Sequence, residues 1–392
     1  MKLTLCGAGN AAHTLVPILN AGGQHVVTVF TPAPGEAERW RFLLGSNGMV
    51  ELRMTDGSSL VGRPATITDD PHEAGTDAEG VLLALPAFAH ELVLQMLAPF
   101  LPRSALIIAL PARSGFEWMA RSVLADHEGT VAGLQTLPWA CRIDEWGRRV
   151  EVLGVKAQVD LAASPPQATQ ATVEQMAEML RVPLSPAPNF LALSLANTGQ
   201  IIHPGIMYGL FHAWDGQPFA EDEAPLFYGG VNKETAAVLQ ALSDEVQQVR
   251  ARLERKAGFD LSSVLPLMDW LQRAYPDQIA DTGSLQSSFN SNRAYAGLRA
   301  PVRPVSGSDQ GGSEPWFSAR YLSEDVPFGL LVTKGIAEIA GTPTPTVDRV
   351  LLWAQERLGK EYLVDGLVAG RDVVESRAPQ RFGIQDIDAL DR

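Results

Sequence analysis

The sequence predicts two domains of different class: an α/β, doubly wound Rossmann-type domain over residues 1–185, and a mainly helical domain over 186–392. Three observations carry this reading. The chain opens on a strand, a glycine turn and a helix. Near-continuous apolar runs then recur with helical segments between them, as strands buried on both faces of a parallel sheet require. After a Pro-rich segment at 181–189 the pattern is helical almost throughout.

The elements follow in order. "KLTLC" (2–6) is a short apolar strand. "AAHTLVPILNAGG" (11–23) is a helix ended by glycines. "QHVVTVF" (24–30) is the second strand, and 35–47 reads as a helix. "GVLLALP" (80–86), "SALIIALP" (104–111) and "TVAGLQTL" (130–137) are further buried strands, separated by helices near 88–98 and 116–125. This alternation implies parallel strands with right-handed crossovers. "RRVEVLGVKAQVDLAA" (148–163) is extended, and "ATVEQMAEML" (171–180) is helical. "RVPLSPAPN" (181–189) reads as a linker. Long helices are expected at 190–214, 230–257, 324–341 and 344–357. Residues 299–318, rich in Pro, Gly and Ser, read as an ordered or closing loop.

Composition narrows the function classes. The 392 residues suffice for two cores. A formal net charge of −14 argues against nucleic acid and anionic membranes as partners, while leaving room for a local basic pocket that takes a small anion. The two cysteines, Cys6 and Cys141, form no disulfide or zinc pattern, and no metal site is expected. A reducing cytoplasm is therefore the expected compartment. "MKLTLCGAGN" runs straight into a strand without a signal peptide, and no run of about eighteen apolar residues suggests a membrane span.

The first chemical motif is "GAGNAA", residues 7–12, placed after a strand and opening a helix. Gly7 permits the tight turn. Gly9 lets the backbone approach a pyrophosphate, whose charge meets the amides of a helix N-terminus at Asn10 and Ala11. Ala12 stands where a third glycine is common. An acid at the end of the second strand would bind a ribose 2′-hydroxyl; here Phe30 and Thr31 occupy that place, with Arg39 and Arg41 following Glu36 and Glu38. Arginine offers a fork to a 2′-phosphate, so the reading favours NADPH, with NADH as the alternative. "LPAFAHE" (85–91) sets Leu85 and Pro86 at a strand's carboxyl end, over the cofactor site. His90 in this motif reads as a helix-surface residue rather than a catalyst.

The second motif is "LANTGQIIHPGIMYGLF", residues 195–211. It is apolar all round, yet carries Asn197, His203 and Pro204. A proline removes a backbone hydrogen bond and bends a helix. A histidine among apolar residues needs a partner. At the start of the second domain, facing the expected interdomain cleft, such a histidine suits proton transfer near pH 7. The carboxylate to fix its tautomer comes from "RYLSEDVPFGL" (320–330), where Asp325 and Glu324 both qualify.

On these residues the chain resembles the octopine and nopaline dehydrogenases, the opine dehydrogenase family. The pieces occur in order: "GAGNAAH", "LPAFAH", "NTGQIIHP", "FNSNRAYAGLRAP" (289–301), and "YLSEDVPFGL" followed by "AGTPTPTVDRVLLWA" (340–354). The resemblance spans nearly the whole chain. It implies condensation of an amino acid's amine with an α-keto acid, pyruvate or α-ketoglutarate, and reduction of the imine by NAD(P)H. It further implies His203 as general acid/base, Asp325 as the residue that orients it, and Asn197 as a group that positions the substrate or the nicotinamide. "LPWACRIDEWGRRVEVLGVK" (137–156) resembles the bacterial members that finish nicotianamine-like metallophores such as staphylopine and pseudopaline. Arg142, Tyr208 and Tyr228 are candidate substrate contacts, and Arg303 and Trp316 belong to a loop that could close over a bulky substrate. A homodimer through the helical domain is the expected assembly. Two competing readings are a ketopantoate- or β-hydroxyacid-type reductase, which would need Lys233 as its catalytic lysine, and a non-enzymatic NADP-binding sensor, which would need neither His203 nor Asp325.

Overall fold

The computed structural model describes residues 1–21, 23–46, 48–220, 223–305 and 312–391. It divides into two compact units, Met1–Leu193 and Ser194–Arg392.

The first unit is built on an eight-stranded sheet. Its spatial order is Leu184–Pro186, Val159–Ser164, Val131–Leu134, Leu106–Ala109, Gly80–Leu83, Lys2–Cys6, Val26–Phe30 and Thr66–Thr68. All neighbours are parallel except Val131–Leu134 against Val159–Ser164. The first strand lies between the second and the Gly80–Leu83 strand, so chain order reverses there, and the crevice at its carboxyl end is the expected ligand position. Every residue of Gly80–Leu83 and Val131–Leu134 is buried, which explains their continuous apolar character.

Two parts of this unit differ from the sequence reading. The segment 181–189 is no linker: Leu184–Pro186 adds an edge strand parallel to Val159–Ser164, and proline is tolerated there because an edge strand has amides to spare. A second, four-stranded sheet also forms, in the order Ser59–Gly62, Val50–Arg53, Arg149–Val155, Trp139–Glu145. Its members are distant in sequence and pack against the first helix, Asn10–Asn20.

His13 ties that sheet to the helix. Its Nδ1 donates to Gly9 O at 3.0 Å, and its Nε2 accepts the Gly147 N–H at 2.8 Å. The ring stacks on Trp40 at 4.1 Å, and the Trp40 indole donates to Gly147 O. The neutral ring fits this arrangement, because a proton on Nε2 would face a backbone donor.

The second unit is mainly helical, as expected, but the long helix expected at 190–214 is two: Phe190–Leu195, which begins in the first unit, and Gly199–Phe211. The interruption falls at 196–198, and Pro204 sits inside the second helix. That helix packs on Lys233–Ala257, which Asn232 caps by accepting the Thr235 N–H. Gly205 allows the approach: a Cβ there would lie 2.7 Å from Leu239. The stretch expected as one helix at 324–341 is a π-turn at Val326–Leu330 and a helix, Leu331–Ala340, preceded by a single helical turn at Arg320–Ser323. Helices Leu267–Ala274 and Leu285–Ser291 were not anticipated. In the 299–318 loop, Val302–Pro304 pairs antiparallel with Ser313–Pro315, and Arg303 bonds Glu314. Residues 306–311, which the loop reading also covered, lie outside the described residues. No helix among those described is long and apolar enough to cross a membrane.

Burial pushes the His13 imidazole down to about 4. Between that value and the unfolded ring's pKa near 6.5, the unfolded chain binds more protons than the folded one. Stability is therefore complete above about pH 6.5 and falls as the pH drops toward 4, by about 3 kcal/mol in all. Urea unfolding in steps from pH 7 to pH 4 should show this slope, and His13→Gln should flatten it; parallel slopes in the two proteins would count against the assignment.

Candidate active site

The glycine turn has the geometry of a phosphate cradle. Gly7 adopts φ +118°, and a Cβ there would lie 2.7 Å from Ala84 O and 3.0 Å from Leu85 Cδ2. Its N–H donates to Phe30 O, so the turn is clamped between the ends of the second and fourth parallel strands. Gly9 precedes the helix in an extended conformation without a side-chain cap, and nothing lies within 4 Å of where its Cβ would be. The first amides of Asn10–Asn20 are thus left to an anion in open space, as a dinucleotide's pyrophosphate requires. Asn10 faces elsewhere with its side chain: its Oδ1 accepts the Ile143 N–H at 3.0 Å and steadies the hairpin strand behind it. Ala11 is half-buried in the same turn. These residues fit a nicotinamide dinucleotide.

Leu85 and Pro86 lie beside Gly7 at the carboxyl end of Gly80–Leu83, as expected, and Pro86 begins the helix Ala87–Leu97. His90 is not on the surface. It is fully buried, its Nε2 donates to Leu85 O at 3.0 Å, and its ring meets Phe116 edge-on. It shapes the Leu85–Pro86 turn from beneath.

The adenosine end departs from the sequence reading. The Thr31 hydroxyl donates to the Glu36 carboxylate, so an acid stands at the end of the second strand although none is adjacent in sequence. Arg41 is committed to Ile67 O at 2.6 Å, and Arg39 lies over the Trp146 ring at 4.5 Å. The premise for a 2′-phosphate, a strand end without an acid, does not hold.

In the second unit the structure joins His203 and Asp325 across 122 positions. His203 Nδ1 lies 2.8 Å from Asp325 Oδ2. Asp325 is 1% exposed, while the His203 side chain keeps 18%. The carboxylate accepts from Nδ1–H and leaves Nε2 as the ring nitrogen not bound to it. Nε2 lies 3.1 Å from the Tyr228 hydroxyl, and the imidazole stacks on Tyr321 at 4.3 Å. Burial drives the Tyr228 phenol well above its ordinary pKa, with Tyr321, Tyr275 and Asp325 adding to the effect. Glu324, the competing carboxylate, forms an ion pair with Arg320 instead.

Local backbone explains the placement. Pro327 has no amide to continue an α-helical ladder, and the segment winds wider: Leu330 N bonds Asp325 O, and Asp325 N bonds Arg320 O. Gly329 lets this π-turn meet the broken helix, since a Cβ there would lie 2.6 Å from Gln200 and 3.6 Å from Asn197 Nδ2. Gln200 donates to Ser194 O and Leu195 O at the break and accepts from Thr333. Asn197 is buried in the break itself.

The other expected residues are described within their own units. Among the described residues, the Tyr208 ring has His212, Trp353 and Arg349 as neighbours. Arg142 is exposed on the strand Trp139–Glu145 of the first unit. Lys233 is exposed at a helix start, which gives a reductase-type lysine no setting. Sequence reading missed Glu36, Gln200 and Tyr321. Only Tyr321 had a signal, four positions before Asp325 in a motif already singled out. Among the described residues, no cluster of three His, Cys, Asp or Glu could hold a metal.

Comparison with known proteins places the chain in a family. The family model described as NAD/NADP octopine/nopaline dehydrogenase, alpha-helical domain, matches residues 186–358. Octopine dehydrogenase of Mizuhopecten yessoensis is 41% identical, over 100% of this chain and 98% of the relative. Tauropine dehydrogenase of Arabella iricolor is 37% identical, over 99% of each. A solved octopine dehydrogenase with NADH and L-arginine superposes with a TM-score of 0.91 at 38% identity, over 100% of this chain and 98% of the other. Another, with NADH and pyruvate, gives 0.87 at 37%, over 100% and 97%. With a nucleotide cradle in one unit and a histidine–aspartate pair in the other, the chain belongs to the octopine dehydrogenase family and is a nicotinamide-dependent oxidoreductase acting on CH–NH bonds.

Proposed function

We propose that this enzyme condenses pyruvate with the amine of a free amino acid or a similar small amine and reduces the product to an opine, with His203 as general acid/base. The observation that carries the reading is the buried Asp325 carboxylate on His203 Nδ1, which leaves the second ring nitrogen, Nε2, for proton exchange. The amine nitrogen attacks the keto carbon; the C–N bond forms as the carbonyl π bond opens onto oxygen, which becomes a hydroxyl, and the neutral Nε2 takes a proton from the nitrogen. The carbinolamine hydroxyl leaves as water after taking a proton from Nε2–H, which gives the protonated imine. The nicotinamide, when bound, supplies the hydride that converts the protonated imine to a secondary amine. Asp325 holds the imidazole in one tautomer throughout and steadies its charged form. Asn197, buried in the helix break, is assigned the orienting of substrate on its place in the same motif as His203. Small amines, rather than an extended metallophore precursor, follow the relatives at 37–41% identity.

For the cofactor we infer NADH as the preferred form. Glu36 at the end of the second strand accepts from a ribose 2′-hydroxyl and repels a 2′-phosphate. The Arg39 and Arg41 side chains are held by Trp146 and Ile67 O, which supports the same reading.

Three measurements test these readings. His203→Ala and Asp325→Asn should each lower kcat by about 10²–10⁴-fold with little change in NADH affinity. Asparagine keeps the shape of Asp325 but offers a donor to Nδ1 and so selects the wrong tautomer; near-normal turnover in either variant removes the mechanism. NADH should exceed NADPH in kcat/KM by at least about tenfold, a gap of about 1.4 kcal/mol, and Glu36→Gln should narrow it. A preference for NADPH sinks the assignment of Glu36. Finally, NADH oxidation should need keto acid and amine together, and mass spectrometry should find amine plus keto acid minus water plus two hydrogens. Arms with pyruvate or α-ketoglutarate, and with arginine, taurine or an aminobutyrate-extended amine, identify the pair. Rapid oxidation with the keto acid alone would return the protein to simple keto-acid reduction.

A further inference from the structure

The acid–base reading of His203 leaves its Tyr228 contact without a role. The Tyr228 ring is fixed: it stacks on Tyr295 at 3.9 Å and 14°, and Phe227 meets its edge at 4.9 Å. Its hydroxyl lies 3.1 Å from His203 Nε2 and also hydrogen-bonds with Tyr321, whose ring covers the imidazole face. The phenol stays protonated at neutral pH, so it has one donor and two acceptor positions. With a neutral imidazole, Nε2 accepts from the Tyr228 O–H. With an imidazolium, Nε2–H donates to the Tyr228 oxygen, and the hydroxyl proton turns to Tyr321. One hydroxyl can satisfy both states.

We propose that Tyr228 is a positioning residue acting through His203: its hydroxyl holds Nε2 in both protonation states until substrate takes its place, and so sustains a charged imidazole inside an aromatic enclosure. The proposal rests on His203 as the acid/base of the reaction. Around the ring stand Asp325, Tyr228 and Tyr321. Arg320 and Glu324, from the same segment as Tyr321, pair with each other. Toward this helix Lys233–Ala257 presents Leu239, Leu242 and Thr235, and Arg349 of Pro345–Leu358 lies over Tyr208. Hydrogen bonds to charged groups are about twice as strong as neutral ones, so loss of the hydroxyl weakens the imidazolium more than the neutral ring.

The test is a ring-nitrogen NMR titration of the full-length protein, with the His203 resonance assigned by its absence in His203→Gln. In Tyr228→Phe, which keeps the stack, the midpoint should fall by about one pH unit. Tyr321→Phe, which removes the second partner, should move it the same way by less. Tyr295→Phe should leave it unmoved. In turnover, the basic limb of the kcat profile should follow the titration, with the KM for the keto acid within about threefold of wild type. An unmoved or raised midpoint in Tyr228→Phe, or in Tyr321→Phe if the first variant does not fold, overturns the proposal. A lowered midpoint in a protein that makes no opine upholds the action of Tyr228 on His203 and removes the reading of the reaction instead.

Discussion

A carboxylate buried to 1% exposure is expensive unless something compensates its charge, and Asp325 is compensated by the Nδ1–H of His203 at 2.8 Å. Much of the second unit's irregularity serves this contact. The chain leaves α-helical geometry at Val326–Leu330, where Pro327 cannot donate, and the wider turn brings Asp325 toward the histidine helix. The facing helix is broken just before it begins, and Gln200 satisfies two carbonyls of the break. Gly329 is the contact point between the two departures, and any side chain there would strike Gln200. Removal of the imidazole would take from the buried carboxylate its Nδ1–H donor, so pairing and tautomer are fixed together.

The first unit has a comparable constraint at Gly7. Its positive φ and the nearness of Ala84 O leave no room for a Cβ, and its amide ties the turn to the second strand. The turn is therefore rigid on its protein side and open at Gly9. The supporting residues are not all where a motif suggests. His13 and Asn10, both in the motif region, use their side chains to anchor the Trp139–Glu145 and Arg149–Val155 hairpin. The backbone amides are what remain for a phosphate.

Several local readings gave way for a common reason. Arg39 and Arg41 looked available because a sequence shows charge but not its partners, and both are engaged. His90 looked exposed because a histidine is polar and a sequence does not show its partner, yet it bonds Leu85 O from inside the unit. Residues 181–189 looked like a linker because prolines discourage central strands, but an edge strand accepts them. Glu36 was passed over because it is five residues beyond the position a strand end prescribes, and only the turn between brings its carboxylate back to Thr31.

What the sequence determined by itself was periodic or contiguous: the alternation of buried strands and helices, the glycine turn between the first strand and helix, the helical second half, and the motifs around His203 and Asp325. These follow from hydrophobic period and from local backbone rules, which act over a few residues. Tertiary structure decided what depends on distant parts of the chain. It brought Asp325 to His203 across 122 positions, and it set Tyr228 and Tyr321 around the imidazole. It also assembled a four-stranded sheet from residues 50–62 and 139–155. Such choices turn on which of two similar groups is satisfied elsewhere, and satisfaction is a property of the packed interior rather than of sequence spacing.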